Sequence, residues 1–204
     1  MDLKRSFDMS AAAIGITLLS PVFAVVSLAN LARFRGNPLY GAERVGKDGK
    51  VFRMLKFKTM DDLRDADGTL LPDEERGTAY GKFLRATALD ELPQLINIVK
   101  GDMSFVGPRP HSPDNLPTRD LTQEHKDILS VRPGLTGPWQ VAAIGSAGAL
   151  PDAERLRLDA SYARNNPTLA KDLLLMVKTV PALVRGHNGE SLGKPPSKPD
   201  RPDL

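Results

Sequence analysis

Between Phe7 and Ala32 the chain carries one long apolar run, interrupted at its centre by Ser20-Pro21. No other feature restricts the fold as tightly. The run reaches the length of about 20 apolar residues that a membrane-crossing helix needs. A proline inside a helix removes one backbone donor and clashes with the preceding turn, at roughly 3 kcal/mol. A plain spanning helix gains nothing from that defect. A cleaved signal peptide has Lys4 and Arg5 in its favour, with Ser27-Leu28-Ala29 as a cleavage site, but Asp8 and Pro21 interrupt its apolar segment. A single spanning helix is opposed by charge symmetry. Lys4 and Arg5 flank one end and Arg33 and Arg35 the other, so the positive-inside rule sets no direction. A helical hairpin buried in a soluble protein is a further alternative. The re-entrant reading uses the symmetry, because both ends then stay on one side. Phe7 to Leu19 as a helix covers roughly 20 Å, short of the roughly 30 Å hydrocarbon core. A Ser-Pro break at that depth turns the chain back, and the Ser20 hydroxyl can serve a carbonyl that Pro21 leaves without a donor. Residues 1–35 are therefore expected to form a re-entrant membrane hairpin.

The rest of the 204 residues reads as water-soluble. Hydrophobic residues make up 41% and charged residues 26%, and the mean hydropathy of −0.27 argues against several spanning helices. A net charge of +3 is too weak a bias for nucleic acid, and 5% aromatics provide no base-stacking platform. The same mild excess suits anionic lipid or a phosphorylated substrate. The absence of cysteine excludes disulfides, iron–sulfur clusters and zinc–thiolate sites. His111, His125 and His187 have no metal-ligand spacing.

Downstream of the hairpin, Leu39–Val45 and Val51–Thr59 flank a turn containing Asp48-Gly49, the pattern of a β-hairpin. Its second arm is rich in cations: Arg53, Lys56 and Lys58. Residues 61–81 read as an acidic loop with one short helix. Leu89, Leu92, Leu95, Ile96 and Val99 recur at helical spacing, predicting one helix over 80–100 that Gly101 ends. The prolines of "GPRPHSP" predict an irregular loop over 105–117. A short helix over 121–130, a turn at "RPGLTGPWQ", and amphipathic helices over 151–164 and 168–185 follow. Residues 187–204, polar and proline-rich, are expected to be disordered. The expected fold class is α+β and helix-rich, with amphipathic helices packed around one site, and residues 36–186 are expected to form the domain that carries it. No internal repeat is evident.

The chemistry concentrates in "ATALDELPQLINIVKGDMSFVGPRP". Asp90 and Glu91 are adjacent carboxylates in the first turn of the predicted helix. One reading is purely structural. Thr87 as N-cap and Asp90 three residues on resemble a capping box, and acids there suit the helix dipole. The surroundings favour another. Arg109, held between Pro108 and Pro110, presents a guanidinium able to fork onto phosphate. Lys56, Lys58, Arg85 and Arg132 add cations from separate segments, unless these form a solvated or lipid-facing surface. Two carboxylates among cations suit Mg²⁺ and a phosphorylated substrate.

Three ordered runs, "GAERVGKDGKVFRMLKFKTM", "LDELPQLINIVKGDMSFVGPRP" and "RPGLTGPWQV", resemble the bacterial sugar transferase family. The likeness continues through "DASYARNNPTLAKDLLLMVKTV" to about Thr179. These are monotopic phosphoglycosyl transferases that begin glycan assembly on polyprenol phosphate, and the resemblance is to their small form. It implies that Ser20-Pro21 makes the re-entrant break and that the soluble part sits on the cytoplasmic face of the bacterial inner membrane. It implies that Asp90 attacks the β-phosphate of a UDP-sugar, releases UMP and carries the phosphosugar until polyprenol (undecaprenyl) phosphate takes it. Glu91 then assists as metal ligand or acid/base, and Asp90 and Glu91 both hold Mg²⁺. Arg109 binds phosphate, Lys56 and Arg85 are cations near the dyad, and Arg132 opens an element shaping the nucleotide pocket. Lys58 stands where arginine is commoner, "AAIGSAG" replaces a usual Asn-Gly-Arg turn, and His111 follows the Pro-Arg-Pro element where other residues are more usual. The rival function is a non-catalytic membrane-surface scaffold for glycan assembly, with Asp90 and Glu91 only capping a helix. A hydrolase using the same phosphoenzyme with water as acceptor is a third possibility.

Overall fold

The computed structural model describes residues 3–34, 36–116, 121–144, 150–165 and 167–184. Helix α1 (Leu3–Leu18) and helix α2 (Ser20–Phe34) meet at a bend of 64°. The local chemistry explains the bend. In a continuous helix the residue at position 21 would donate to the carbonyl of Thr17, and proline has no N–H to give. The Ser20 hydroxyl takes its place, donating to Thr17 O at 2.8 Å. Regular helical bonds resume on both sides, Leu19 N to Gly15 O and Phe23 N to Leu19 O, each 2.9 Å. Among the described residues no single helix is long and apolar enough to cross a membrane, whereas the bent pair passes together by length and composition. Ile14, Leu18, Val25 and Leu28, on either side of the bend, are exposed.

The opposite face of the pair is packed. Ala12 of α1 joins Met54, Leu95, Ile98 and Met103 in one core cluster, with Ile16, Leu19 and Phe23 against it. Val26 of α2 joins Phe57 and Leu84 in a second. Asp8, a charge inside the apolar run, is buried and accepts hydrogen bonds from Ser104 Oγ (2.7 Å) and the Phe105 N–H (3.4 Å).

Strands β1 (Leu39–Val45) and β2 (Val51–Phe57) pair antiparallel from Leu39↔Phe57 to Val45↔Val51. They are joined as expected through a tight turn in which Asp48 and Gly49 both have positive φ. A one-turn helix, α3 (Asp73–Arg76), lies in the acidic segment. The single helix expected over 80–100 is instead two, α4 (Ala79–Ala86) and α5 (Gln94–Lys100). Between them Ala88 adopts φ 54°, and Leu89–Glu91 form a 3₁₀ turn. Gly101, at φ 99°, ends α5 as the sequence predicts.

Two segments read as irregular contain short strands. β3 (Ser104–Val106) pairs in parallel with β4 (Gly134–Thr136). The ladder continues past both strands: Gly107 N–H donates to Thr136 O (3.0 Å) and Gly134 N–H to Pro108 O (2.9 Å). A Cβ on Gly107 would lie 2.3 Å from Arg132 O, so only glycine allows this approach. The "RPGLTG" element thus begins as a strand alongside the segment that leads into Pro108-Arg109-Pro110. The remaining helices are α6 (Gln123–Leu129), α7 (Pro138–Ile144), α8 (Asp152–Arg164) and α9 (Leu169–Val184). Of these α7 was read as a turn, while the other three match helical patterns. The fold is α+β and helix-rich; the tail expected to be disordered, 187–204, lies outside the described residues.

Candidate active site

The site is assembled by three docking contacts. The first is Asn97, buried on α5, which behaves like an extra strand residue. Its Oδ1 accepts the Leu55 N–H (2.9 Å) and its Nδ2 donates to Arg53 O (2.9 Å), fastening α5 across β2. The second is Gly81, where a Cβ would stand 1.8 Å from Thr59 O, so α4 can lie directly on the chain leaving β2. The third is Thr78, whose hydroxyl caps α4 by accepting the Gly81 N–H at 2.8 Å. Lys56 from β2, Arg85 from α4 and the Leu89–Glu91 turn are thereby drawn together. Arg85 Nη1 reaches Thr59 Oγ1 at 3.5 Å.

The dyad sits in a 3₁₀ turn ahead of α5, not in the first turn of α5 itself, and no side chain caps that turn. Thr87 instead closes the end of α4, its hydroxyl donating to Phe83 O (2.8 Å) and to Leu84 O (3.2 Å). Left-handed Ala88 then turns the chain so that Asp90 points inward. The Asp90 side chain is 8% exposed and that of Glu91 32%. Lys56 Nζ lies 2.7 Å from Glu91 Oε1 and 3.9 Å from Asp90 Oδ2. Burial pushes the Asp90 carboxyl up to about 6; Lys56 pulls it down, Glu91 pushes it up, and Arg85 pulls it down. It is a nucleophile-sized carboxylate, poorly solvated, ionised near neutral pH, with a solvent-reachable second carboxylate beside it.

Among the described residues no group of three or more His, Asp or Glu side chains gathers to hold a metal. Mg²⁺ does not require one. It commonly takes one or two carboxylates and fills its remaining positions with water and phosphate oxygens. The hard oxygen donors of Asp90 and Glu91 fit that pattern.

Four other residues singled out in the sequence have these surroundings. Arg132 Nε donates to Gly101 O at 2.8 Å, bracing the end of α5. Arg109 is exposed, its guanidinium carbon 5.6 Å from the centre of the Trp139 ring. Lys58 pairs with Asp62 and lies 5.3 Å from the Phe34 ring. His111, half-buried, has its pKa lowered chiefly by burial, with the charges of His125, Arg109 and Arg44 adding to the effect.

The family model described as bacterial sugar transferase matches residues 1–186. The chain belongs to the bacterial sugar transferase family. It is a phosphoglycosyl transferase, as the ordered motifs led us to expect. It is 38% identical over 201 residues to the exopolysaccharide production protein ExoY of Sinorhizobium fredii, covering 88% of this chain and 84% of that protein. It is 35% identical to the UDP-glucose:undecaprenyl-phosphate glucose-1-phosphate transferase of Caulobacter vibrioides, over 91% of this chain and 71% of the relative. The undecaprenyl-phosphate galactose phosphotransferase of Salmonella typhimurium is 34% identical over 90% of this chain, which spans only 40% of that longer relative.

Sequence reasoning about this sugar transferase missed Asn97 and Gly81, which place Lys56 and Arg85 beside the dyad. The signal for Asn97 was present: an amide flanked on both sides by isoleucine within "QLINIVK". A buried amide there needs partners, and the unpaired backbone edge of β2 supplies them. Nothing in the sequence distinguishes Gly81 from a tolerated helical glycine.

Proposed function

We propose that the protein transfers a sugar 1-phosphate from a UDP-sugar to polyprenol phosphate, with Asp90 as the covalent carrier and UMP as the leaving group. The observation that carries this reading is a buried carboxylate with no capping task, ionising at about 6 beside Lys56. Relatives named as undecaprenyl-phosphate galactose and glucose-1-phosphate transferases support the coarser statement, transfer of a sugar phosphate to a lipid carrier.

An Asp90 carboxylate oxygen attacks the β-phosphorus while the bond from that phosphorus to the oxygen bridging the two phosphates breaks. The electron pair leaves with UMP, and an acyl phosphate links Asp90 to the sugar. A phosphate oxygen of the lipid then attacks the same phosphorus, and Asp90 departs as carboxylate. Both steps bring anion towards anion. Lys56 and Arg85 lower that repulsion, and Arg109 contributes a guanidinium suited to phosphate oxygens. Mg²⁺, when bound, neutralises charge on the diphosphate and is held by Asp90 and Glu91. Arg132, whose Nε braces the end of α5 through Gly101 O, adds a further cation for the nucleotide phosphates. The bent helix pair enters one leaflet from the cytoplasmic face, which sets the dyad at the height of the lipid phosphate. Because the phosphosugar is carried covalently, the soluble and lipid substrates need not be bound at the same time.

Incubation with UDP-sugars and Mg²⁺, followed by peptide mass spectrometry, is expected to show a hexose-phosphate-type adduct on Asp90. An adduct on another side chain, or steady product formation with none, overturns the reading. UMP release that continues without lipid would indicate water as acceptor.

A further inference from the structure

We propose that Asp159, through the backbone of Arg109 and the indole of Trp139, is a positioning residue for donor-phosphate binding. The inference rests on the reading of Arg109 as a phosphate ligand.

Asp159 projects from α8, far in sequence from the dyad, and is 2% exposed. Its Oδ2 accepts the Arg109 N–H at 2.8 Å. The backbone of Trp139 also favours the ionised carboxylate. One buried carboxylate thus bridges the Pro-Arg-Pro loop and the start of α7. Its other oxygen, Oδ1, is buried without a hydrogen-bond partner. Burial pushes this carboxyl up to about 7. A buried carboxylate that leaves one oxygen unpaired is a poor choice for filling space, and an apolar residue of similar volume would serve stability better. Its retention is explained if the acceptor has a task.

That task follows from Arg109. An exposed arginine loses rotamer freedom when it orders around a ligand. Two fixed supports reduce what remains to be ordered. The Asp159 bond fixes the Arg109 Cα, and the face of Trp139, itself 3% exposed, supports the guanidinium. Trp139 is held in turn. Arg155 lies 5.0 Å from its ring centre, and a Cβ on neighbouring Gly137 would come within 2.3 Å of Gly107 O. Loop, helix start and α8 therefore form one bracket from which the Arg109 guanidinium is exposed.

The test measures UMP release by the full-length protein in lipid nanodiscs, with saturating polyprenol phosphate and varied UDP-sugar. Arg109→Ala is expected to raise KM for the donor about tenfold. Asp159→Ala is expected to raise the same KM about tenfold, with kcat within threefold of wild type. Asp159→Asn keeps an acceptor for the Arg109 N–H and should stay within threefold in both. The double variant Arg109→Ala/Asp159→Ala should be no worse than Arg109→Ala alone, because the two act on one contact. A merely structural Asp159 would lower yield and melting temperature and leave KM untouched. If Asp159→Ala does not purify, Asp159→Leu fills the volume without an acceptor and carries the same expectations. An unchanged KM in a folded Asp159 variant, or additive effects in the double variant, overturns the proposal alone. An unchanged KM in Arg109→Ala removes the phosphate reading of Arg109 and the proposal with it.

Discussion

Asp90→Asn should make this protein sturdier and nearly inactive. The carboxyl is moved from an ordinary value of 3.8 to about 6, with burial as the largest cause. At about 1.4 kcal/mol for each tenfold change in ionisation, that displacement corresponds to about 3 kcal/mol. The direction follows from the raised value: folding favours the neutral carboxyl. The wild type therefore loses stability as pH rises from about 4 to about 6, and the loss is complete above that. Asparagine does not titrate, so the variant's advantage is absent near pH 4 and full at pH 7.5. Lys56 keeps its partner, since Glu91 Oε1 remains 2.7 Å away. For a chain of this size about 3 kcal/mol is a rise in melting temperature of roughly 6–12 °C. Thermal unfolding in nanodiscs at pH 5 and pH 7.5 measures it, and UMP release from UDP-sugar should fall roughly 10³-fold or more. A variant no more stable at pH 7.5 than at pH 5, relative to wild type, would refute the account of Asp90 as a destabilising buried charge. Turnover within tenfold of wild type would refute its role as nucleophile.

Lys56→Met removes the strongest influence holding the Asp90 carboxyl down, so the acid limb of the kcat/KM profile should move above pH 6; UMP release between pH 5 and 9 reads this, and a limb that stays or moves down contradicts it. Gly81→Ala places a methyl group 1.8 Å from Thr59 O and should cost about 1–3 kcal/mol or more, read as a lowered melting midpoint; an unchanged midpoint would mean that α4 docks differently. Single cysteines replacing Leu3 and Gly36, both exposed, should label from the same side of sealed vesicles. Labelling from opposite sides would restore a spanning arrangement of the bent pair.

The legible parts of the fold were those whose cause is local. The missing donor of Pro21 and the hydroxyl of Ser20 lie four and three residues from the carbonyl they affect, and the bend follows. Asp48-Gly49 supplies two positive φ angles in sequence, and the hairpin register follows. The illegible parts depend on distant backbone. Nothing in the residue type of Ala88 announces a left-handed conformation, so an apolar period of 3.6 ran straight through a kink. Strands β3 and β4 hold three residues each, and each needs the other to exist. The carboxylates of the dyad were identifiable, but their local geometry was not: Thr87 closes α4, and Asp90 is buried in a 3₁₀ turn that Ala88 opens. Asp159, like Asn97, acts on the main chain of a remote segment, and side-chain type alone does not reveal such a partner.

The hairpin and the dyad share a core, which makes the anchor more than an attachment. Ala12 of α1 packs with Leu95 and Ile98 of α5, the helix that follows Glu91. Arg5 donates to Ile98 O (2.8 Å) and Val99 O (3.1 Å), bracing carbonyls at the end of α5. Lys4 pairs with Asp172 of α9, and Asp8 accepts from Ser104, two residues before the strand ends. The bend and the position of Asp90 are consequently fixed to each other by side chains rather than by a linker. Removing residues 1–34 would expose Leu95, Ile98, Met54 and Phe57, take Lys4 from Asp172, which keeps Tyr162, and take Asp8 from Ser104. The truncated chain is therefore expected to lose cooperative unfolding rather than become a soluble enzyme, as read by circular dichroism during thermal melting and by UMP release. A truncated protein that stays monomeric, melts cooperatively and turns over UDP-sugar would show that the catalytic fold stands without its anchor. The height of the active site would then need another cause.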